Sequence, residues 1–293
     1  MKFIHKEYLP AAIWGLVAAD ALGVPYEFND RDTFKVEGMT GYGTHYQPAG
    51  YWSDDSSMML ATLCSLLEND KINHSDIMSR FVAWRDKGEY SPAGRCFDIG
   101  MAVNRALDRF SSGVAPLNCG GRGQYDNGNG SLMRILPVAF IEHTDRDVTE
   151  LSAITHANGI STVGCVIYVQ IAERLMQGMS KEEALKTQPC YIDEYSRLRE
   201  IAALDRKEIS SSGYVLHSLE AALWCLMTTD NYRDCVTAAV ELGDDTDTVA
   251  AIAGGLAGIY YGIGGERGIP REWINALAKK EWIEGIINKT INA

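Results

Sequence analysis

The chain has 293 residues, of which 46% are hydrophobic and 23% charged, as in an ordinary globular protein. Its 39 acidic and 27 basic residues give a net charge of −12, which argues against a general nucleic-acid binder because such a protein needs a basic surface. A chain of this length can bury a large core without disulfides or a structural metal. We therefore expect a single soluble domain over residues 1–293.

The cysteines and the N-terminus predict where the protein works. Seven cysteines are an odd number and form no Cys-x-x-Cys pair, so neither a disulfide framework nor a zinc site is expected. Free thiols, with no secretory pattern at the N-terminus, predict a cytoplasmic protein. The uncharged stretch 249–265 is 17 residues long, which is short for a membrane span. It is interpreted as a tightly packed core helix, and the protein as a monomer that does not bind membranes.

Hydrophobic periodicity predicts helices along most of the chain. In chain order, apolar residues at i, i+3 and i+4 spacing favour helices over residues 9–22, 58–67, 77–84, 101–110, 163–176, 215–227 and 236–242. Asn73 and Ser75 are N-cap candidates for the third helix. A further helical run, 132–140, follows a glycine-rich turn. No run of alternating Val, Ile and Thr is long enough for a strand, so we predict an all-α fold.

Three stretches interrupt this pattern. Residues 29–53 and 111–130 are rich in glycine, and residues 188–212 are polar and mixed. Long loops within a compact domain are usually functional. We expect the first two to help form a site.

Two acidic clusters stand where a loop leads into an apolar helix. The first is WSDDSSMM, from Trp52 to Met59, and the second is GDDTDT, from Gly243 to Thr248. Helix capping explains one acidic residue in each cluster. It does not explain adjacent carboxylates before a buried helix, because they would repel one another and lose solvation. A divalent cation would relieve both costs.

The spacing within the clusters suits hard metal ions. Asp245, Asp247 and Thr248 are placed so that a turn entering a helix can aim three oxygens at one point. Oxygen ligands favour Mg²⁺ or Mn²⁺ over zinc. If the two helix starts face each other, six oxygens could hold two cations. The residues alone predict either a binuclear metal hydrolase, a phosphohydrolase included, or a metal-dependent binder of a polyhydroxylated or phosphorylated ligand.

Short motifs are spread along nearly the whole chain. They are ADALGVPYEF from Ala19, WSDDSSM from Trp52, CFDIG from Cys96, GNGSLMR from Gly128, TH from Thr155, GYV from Gly213 and GDDTDT from Gly243. In this order they resemble the ADP-ribosylglycohydrolase family, in particular the type that activates dinitrogenase reductase. Ser53 stands where the family usually has threonine, and Ala19 where it usually has glycine. Neither change removes a ligand.

The resemblance implies a compact orthogonal helical bundle with two Mg²⁺ or Mn²⁺ ions in a cleft. It implies that the metal ligands are Ser53, Asp54, Asp55, Asp245, Asp247 and Thr248, and it leaves Asp244 outside that set. It further implies a hydrolase that releases ADP-ribose from modified protein side chains, with arginine the favoured acceptor. Serine-linked, nucleic-acid-linked and small-molecule ADP-ribose stay open, because the acceptor lies outside the motifs.

Two carboxylates outside the metal set are candidates for catalytic proton transfer. Asp98 stands at the start of a helical run, where it could instead be an N-cap. Glu27 follows Pro25 in a loop, where it could instead be a solvated charge. The family match favours a role in catalysis for both.

The remaining candidates concern substrate binding. Gly128, Asn129 and Gly130 form a turn whose N–H groups could bind the diphosphate of ADP-ribose. The resemblance implies that His156 lies near the substrate ribose. Tyr214 could stack on adenine or simply pack. An alternative function on the same fold is a protein that binds and blocks an ADP-ribosylating toxin without turnover.

Overall fold

The computed structural model describes residues 1–186 and 192–293, and its regular structure is helical. The α-helices, in chain order, are α1 (Leu9–Gly23), α2 (Asp54–Glu68), α3 (His74–Lys87), α4 (Met101–Ser111), α5 (Asp145–Ala153), α6 (Gly159–Met176), α7 (Lys181–Lys186), α8 (Val215–Thr228), α9 (Tyr232–Val240), α10 (Thr246–Tyr261), α11 (Arg271–Ala276) and α12 (Lys280–Asn292). Extended backbone within the described ranges pairs only in isolated bridges. The all-α prediction is confirmed, and the single-domain prediction stays a prediction.

The helices α1 and α10 form the centre of the fold, and nearly all of their residues are buried. Their backbones touch. A Cβ atom added to Gly15 would lie 2.3 Å from the carbonyl oxygen of Gly254, so only glycine permits this approach. The methyl group of Ala19 packs against Gly254 on the same contact, which shows where the alanine of the N-terminal motif fits. This close pair fixes the relative position of the helix ends that carry the acidic residues.

Apolar helices of this kind also resemble membrane spans in length and composition. Within the part of the chain that the structure describes, one segment, Leu9–Tyr26, meets that criterion, with a hydropathy of 1.3 and 83% of it buried inside the fold. The segment singled out from the sequence, 249–265, largely coincides with α10. Its interpretation as a tightly packed core helix is confirmed, because α10 is buried from Thr246 to Ile259.

The seven helices predicted from i, i+3, i+4 periodicity are all present, with ends shifted by at most four residues. The side chain of Asn73, rather than that of Ser75, caps α3 by accepting from the N–H of Asp76. The helical run predicted over 132–140 is wrong as an α-helix. That segment contains a 3₁₀ helix, Leu136–Phe140, with Pro137 in its first turn. Proline has no N–H and clashes with the preceding turn, so an α-helix cannot run through it.

The interrupting stretches pack against the helices. The guanidinium of Arg31 ties the loop 29–53 to the body by donating to the carbonyl oxygens of Leu242, Arg206 and Ile209. In the third stretch, residues 187–191 lie outside the described residues, and Asp193–Ala203 forms a 3₁₀ helix. Six cysteines are free thiols, and Cys190 lies outside the described residues. No disulfide forms within the described ranges, as predicted.

Candidate functional site

The first acidic cluster lies at the start of α2 and is anchored on a carboxylate of α1. Asp20 is the only charged residue in α1. It accepts hydrogen bonds from the main-chain N–H groups of Ser53 and Ser56, each at 2.9 Å. The hydroxyl oxygen of Ser53 lies 2.9 Å from Asp20 Oδ1 and 2.8 Å from Asp55 Oδ2. Asp20 therefore satisfies the free N–H groups of the helix start, and the carboxylates of Asp54 and Asp55 are left for another role.

The second acidic cluster lies at the start of α10, against the end of α1. A Cβ atom added to Gly23 would lie 2.4 Å from the Cα atom of Asp247, so the backbones of α1 and α10 touch here. The hydroxyl of Thr246 donates to the carbonyl oxygen of Gly23 at 2.8 Å. Asp247 and Thr248, which follow, are buried. The glycine contact thus sets the second cluster beside the first.

The two clusters meet in the fold. The hydroxyl of Thr248 lies 3.4 Å from Asp55 Oδ2. One carboxylate oxygen from each of Asp20, Asp55 and Asp247 falls within 4.8 Å of the others. A second set with the same spacing is formed by Glu27, Asp245 and Asp247. Asp247 belongs to both sets, and Glu27 also belongs to a third set with His45 and Asp98, so the three sets form one connected group that could hold cations.

Three unpartnered carboxylate oxygens of these clusters indicate that the residues suit a metal. Asp55 Oδ1, Asp245 Oδ1 and Asp247 Oδ2 are buried and have no hydrogen-bond partner. A buried carboxylate oxygen without a partner is costly, and a divalent cation is the partner that an all-oxygen donor set accommodates. The residues therefore fit hard divalent cations.

Electrostatics support the same conclusion. Burial, followed by repulsion from Asp98, raises the pKa of Asp54 well above its usual range. Burial, followed by the charge of Asp20, raises the pKa of Asp55 well above its usual range. Burial, followed by the charge of Glu27, raises the pKa of Asp247 in the same way. Burial raises the pKa of Asp245 to about 6. Without a counter-charge these carboxylates cannot all be ionised together.

Glu27 and Asp98 form a carboxyl pair beside the clusters. Glu27 is buried, so its alternative interpretation as a solvated loop charge is wrong. Asp98 has a left-handed backbone (φ 51°) and precedes Gly100, which is the N-cap of α4, so the N-cap interpretation is wrong too. Burial, then the charges of Asp98 and Asp245, raise the pKa of Glu27 to about 10. The ring Nε2 of His45 is hydrogen-bonded to Glu27 Oε2.

A cavity of about 240 Å³ opens onto these groups. Glu27, Asp54, Asp98 and Thr248 line it together with Gly128, Asn129, Gly130 and His156. Both glycine-rich stretches contribute. Tyr125 and the glycine turn, from 111–130, line the cavity, and His45, from 29–53, contacts Glu27. The acidic clusters, the Glu27–Asp98 pair and the glycine turn thus line the same cavity.

The glycine turn lies directly against His156. A Cβ atom added to Gly130 would lie 3.0 Å from Cε1 of the His156 ring, and one added to Gly128 would lie 3.4 Å from its Nε2. His156 is buried, and its Nδ1 lies 2.9 Å from the hydroxyl oxygen of Thr155. Burial, then the charge of Arg134, lowers the pKa of His156 to about 3, so the ring is neutral near pH 7. A neutral imidazole can exchange hydrogen bonds with a hydroxyl without adding charge.

Some predicted residues have surroundings that the sequence did not indicate. The side-chain amide of Asn129 donates to Asp245 Oδ2 at 2.8 Å and to Ser218 Oγ at 2.9 Å, so it positions a carboxylate of the metal set. Tyr214 packs edge-on against His217 and is not among the residues that line the cavity, although Gly213 is. The side chain of Asp244 is exposed, while its main chain pairs with residues 28 and 29.

Sequence reasoning missed two residues of this centre. Asp20 lies inside a quoted motif but received no role, although a single charge within an apolar helix was a usable signal. His45 lies in a loop, and no pattern marked it. Loop length alone indicated that something functional lay there.

Comparisons with known proteins point in one direction. The family model described as ADP-ribosylglycohydrolase matches residues 6–293. The ADP-ribosylarginine hydrolase Tri1 of Pseudomonas putida (strain GB-1) is 35% identical, over 93% of this chain and 75% of that protein. The ADP-ribosyl-[dinitrogen reductase] glycohydrolase of Rhodospirillum rubrum is 27% identical, over 99% and 96%. A solved structure titled ADP-ribosylglycohydrolase-related protein complex aligns with a TM-score of 0.84 at 30% identity, covering 98% of both chains.

Proposed function

The chain belongs to the ADP-ribosylglycohydrolase family, and on that basis we propose that it removes ADP-ribose from arginine side chains of modified proteins, using two divalent cations. It is a glycohydrolase. Relatives that are 35% and 33% identical are named ADP-ribosylarginine hydrolases, which favours arginine as the acceptor. The observation that carries the proposal is the group of three unpartnered, buried carboxylate oxygens next to the cavity.

The metal set supports binding of Mg²⁺ or Mn²⁺. The residues that would hold the ions are Ser53, Asp54, Asp55, Asp245, Asp247 and Thr248, with Asp20 supporting the first cluster. Bound there, the ions would supply Lewis acidity and fixed positive charge beside the cavity. Asn129 keeps the Asp245 carboxylate in place through its 2.8 Å hydrogen bond.

The carboxyl pair supports proton transfer at the scissile bond. Hydrolysis breaks the bond between the anomeric carbon and nitrogen through a state with positive charge on the ribose; the departing nitrogen takes a proton, and water supplies the hydroxyl that remains on the anomeric carbon. Glu27 and Asp98 are in contact, burial raises the pKa of both carboxyls, and the charge of Asp98 raises that of Glu27 further, so the two favour sharing one proton. The pair therefore retains a proton that can pass to the leaving group. His45 holds the Glu27 carboxyl from the other side.

The glycine turn and His156 support substrate binding. Gly128, Asn129 and Gly130 let the main chain approach a ligand closely, since two of the three carry no side chain on this wall of the cavity. We propose that the turn contacts the diphosphate and that neutral His156 hydrogen-bonds a ribose hydroxyl. Tyr214 stays a weaker candidate for adenine because it lies outside the lining.

The test is hydrolysis of a protein that carries ADP-ribosyl-arginine, with Mg²⁺, Mn²⁺ or EDTA, followed by mass spectrometry. We expect metal-dependent release of intact ADP-ribose. Asp245→Asn should reduce the rate at least about 100-fold, on the scale of a lost charge-stabilising group. Asp244→Asn is the matched control, because it makes the same change one residue away on an exposed side chain whose left-handed backbone asparagine tolerates.

Other outcomes separate the alternatives. Release of AMP or phosphate would indicate a metal phosphohydrolase. Release only from serine-linked or nucleic-acid-linked ADP-ribose would retain the hydrolase and change its acceptor. No turnover on any of these substrates, with binding to an ADP-ribosylating toxin that survives Asp245→Asn, would indicate a blocking protein.

A further inference from the structure

The most exposed large apolar side chains of the described residues either line the cavity or belong to the segments that carry Glu27 and His45. Phe28, Tyr42, Tyr46, Met101 and Tyr125 are between 65% and 93% exposed. The other exposed side chains of this class, Val114, Leu117 and Trp282, are only 36% to 38% exposed. Met101 and Tyr125 line the cavity and so face whatever fills it. The other three need a separate explanation.

We name Phe28, Tyr42 and Tyr46 the aromatic rim. None of them lines the cavity, and each is connected to it through a neighbouring residue. Phe28 directly follows Glu27, and its ring lies 6.0 Å from the ring of His45. Tyr46 directly follows His45, which is bonded to Glu27. The N–H of Tyr42 donates to the carbonyl oxygen of Gln47 at 2.5 Å, so Tyr42 and Tyr46 belong to one tight turn.

The backbone of the rim is unusual for aromatic residues. Phe28, Tyr42 and Tyr46 have φ values of 64°, 69° and 54°. These angles lie in the left-handed region, which is unfavourable for bulky residues and natural for glycine or asparagine. Rings this exposed add little to the core. Folding therefore explains neither their residue type nor their place, and strained positions of this kind gather at functional surfaces.

We propose that the aromatic rim is the docking surface for the polypeptide that carries the ADP-ribose group, an inference that rests on the proposed function. In the proposed function the scissile bond lies at the cavity, so the polypeptide that bears the modification lies at the cavity mouth. Its surface then lies on the residues that border the cavity without lining it. Tyrosine and phenylalanine are enriched in protein interfaces because they supply large, rigid contact areas. The rim makes the enzyme prefer a modified protein over the isolated modified amino acid.

The test compares two substrates in a double variant, Tyr42→Asn with Tyr46→Asn. Asparagine accepts a left-handed backbone, so the turn keeps its shape while both rings are removed. We expect kcat/KM for an ADP-ribosylated protein to fall about tenfold or more, through KM, which is the size of a modest interface contact. We expect kcat/KM for free ADP-ribosyl-arginine to stay within about twofold. Melting temperatures of variant and parent confirm that both are folded.

Trp282→Asn serves as the matched control. Trp282 borders a different cavity, formed partly by Cys64, Leu67 and Glu68 in the last turns of α2, whereas Asp54 begins the same helix. A helix of 15 residues is about 20 Å long, so this aromatic side chain lies far from the mouth. Its removal should change kcat/KM for neither substrate.

Three results would overturn the proposal. The first is an equal loss on protein and free amino acid, which would place the rings in catalysis or ligand binding. The second is an unchanged rate on the modified protein. The third is a concentration-dependent dimer, seen by sedimentation and lost in the double variant, which would make the rim a self-association surface. A parent enzyme that hydrolyses neither substrate would refute the proposed function itself, and with it this inference.

Discussion

Asp98 owes its place to a backbone conformation that few residues adopt. Its φ of 51° turns the side chain away from the start of α4 and toward Glu27. Asp98→Asn should keep that conformation, because asparagine also tolerates it, and remove the group that shares the proton. We expect kcat to fall by about 10²–10⁴, the usual contribution of general acid–base catalysis. Initial rates of ADP-ribose release measure the effect.

The control for this prediction is Asp108→Asn. Asp108 lies in α4, the helix that follows Asp98, but its side chain is exposed and pairs with Arg85 on the surface. Its replacement should leave the rate unchanged. A wild-type rate in Asp98→Asn would assign proton transfer to Glu27 alone and contradict the shared-proton role.

His156 makes the free energy of unfolding depend on pH. In the folded protein its pKa is lowered to about 3, whereas an unfolded histidine titrates near 6.5. Between pH 6.5 and pH 3 this histidine is protonated in the unfolded chain but not in the folded chain, so the free energy of unfolding falls as the pH falls through this range. Above pH 6.5 the group is neutral in both states and has no effect. The loss reaches about 2 kcal/mol at pH 5.

The variant His156→Asn isolates that contribution. Urea unfolding of both proteins at pH 7.5 and pH 5 gives the difference in their unfolding free energies. We expect this difference to shift by about 2 kcal/mol in favour of the variant at pH 5. A difference that stays constant with pH would mean that His156 is protonated in the folded state or exposed to solvent.

At the scale of elements, the contact between α1 and α10 is the feature on which the metal set depends. A Cβ atom on Gly15 would meet the Gly254 carbonyl oxygen at 2.3 Å, and neither atom can move unless its helix backbone moves. Gly15→Ala should force the helices apart and destabilise the protein by about 1–3 kcal/mol, the range seen for overpacked cores. It should also weaken Mn²⁺ binding, measured by calorimetry, because the acidic clusters sit at the ends of these helices.

The matched control on an ordinary helix is Gly285→Ala. Gly285 lies within α12, and a Cβ atom there would meet nothing within 4 Å. Alanine is the better helix former, so this change should stabilise the protein by up to about 1 kcal/mol. Equal effects of the two substitutions in chemical denaturation would show that the α1–α10 contact is not as close as described.

At the scale of the whole molecule, folding gathers carboxyl groups that lie far apart in the chain. Asp20, Asp55 and Asp247 meet within 4.8 Å although more than 200 residues separate the first from the last. Their repulsion destabilises the metal-free fold, and a cation that binds only the folded state reverses this. At 100 times its dissociation constant, Mn²⁺ should add about 2.7 kcal/mol to the free energy of unfolding.

Thermal unfolding in Mn²⁺ and in EDTA tests this prediction. The wild type should melt higher in Mn²⁺. Asp247→Asn should melt higher than the wild type in EDTA, because one repelling charge is gone, and should gain little from Mn²⁺. A wild-type melting temperature that is the same in Mn²⁺ and in EDTA would contradict a structural role for the ions.

The sequence predicted those parts of the fold whose signal is local. Apolar residues at i, i+3 and i+4 marked helices such as α4, which buries Val103, Ala106 and Leu107 on one face, since burial of one stripe needs a repeat near 3.6 residues. The short helices α5 and α11, of nine and six residues, were missed because each holds too few apolar positions to establish a repeat. The run over 132–140 was misjudged because periodicity outweighed Pro137.

The candidate site divides in the same way. The all-α class, the two acidic clusters at helix starts and, through the motifs, the family are all readable from the sequence. The support of the first cluster by Asp20, the hydrogen bond from Asn129 to Asp245 and the contact of His45 with Glu27 appear only in the folded chain. These pairs lie 18 to 116 residues apart. The physical reason is that helix propensity and capping act within a few residues, whereas contacts across the chain follow from how α1 and α10 pack.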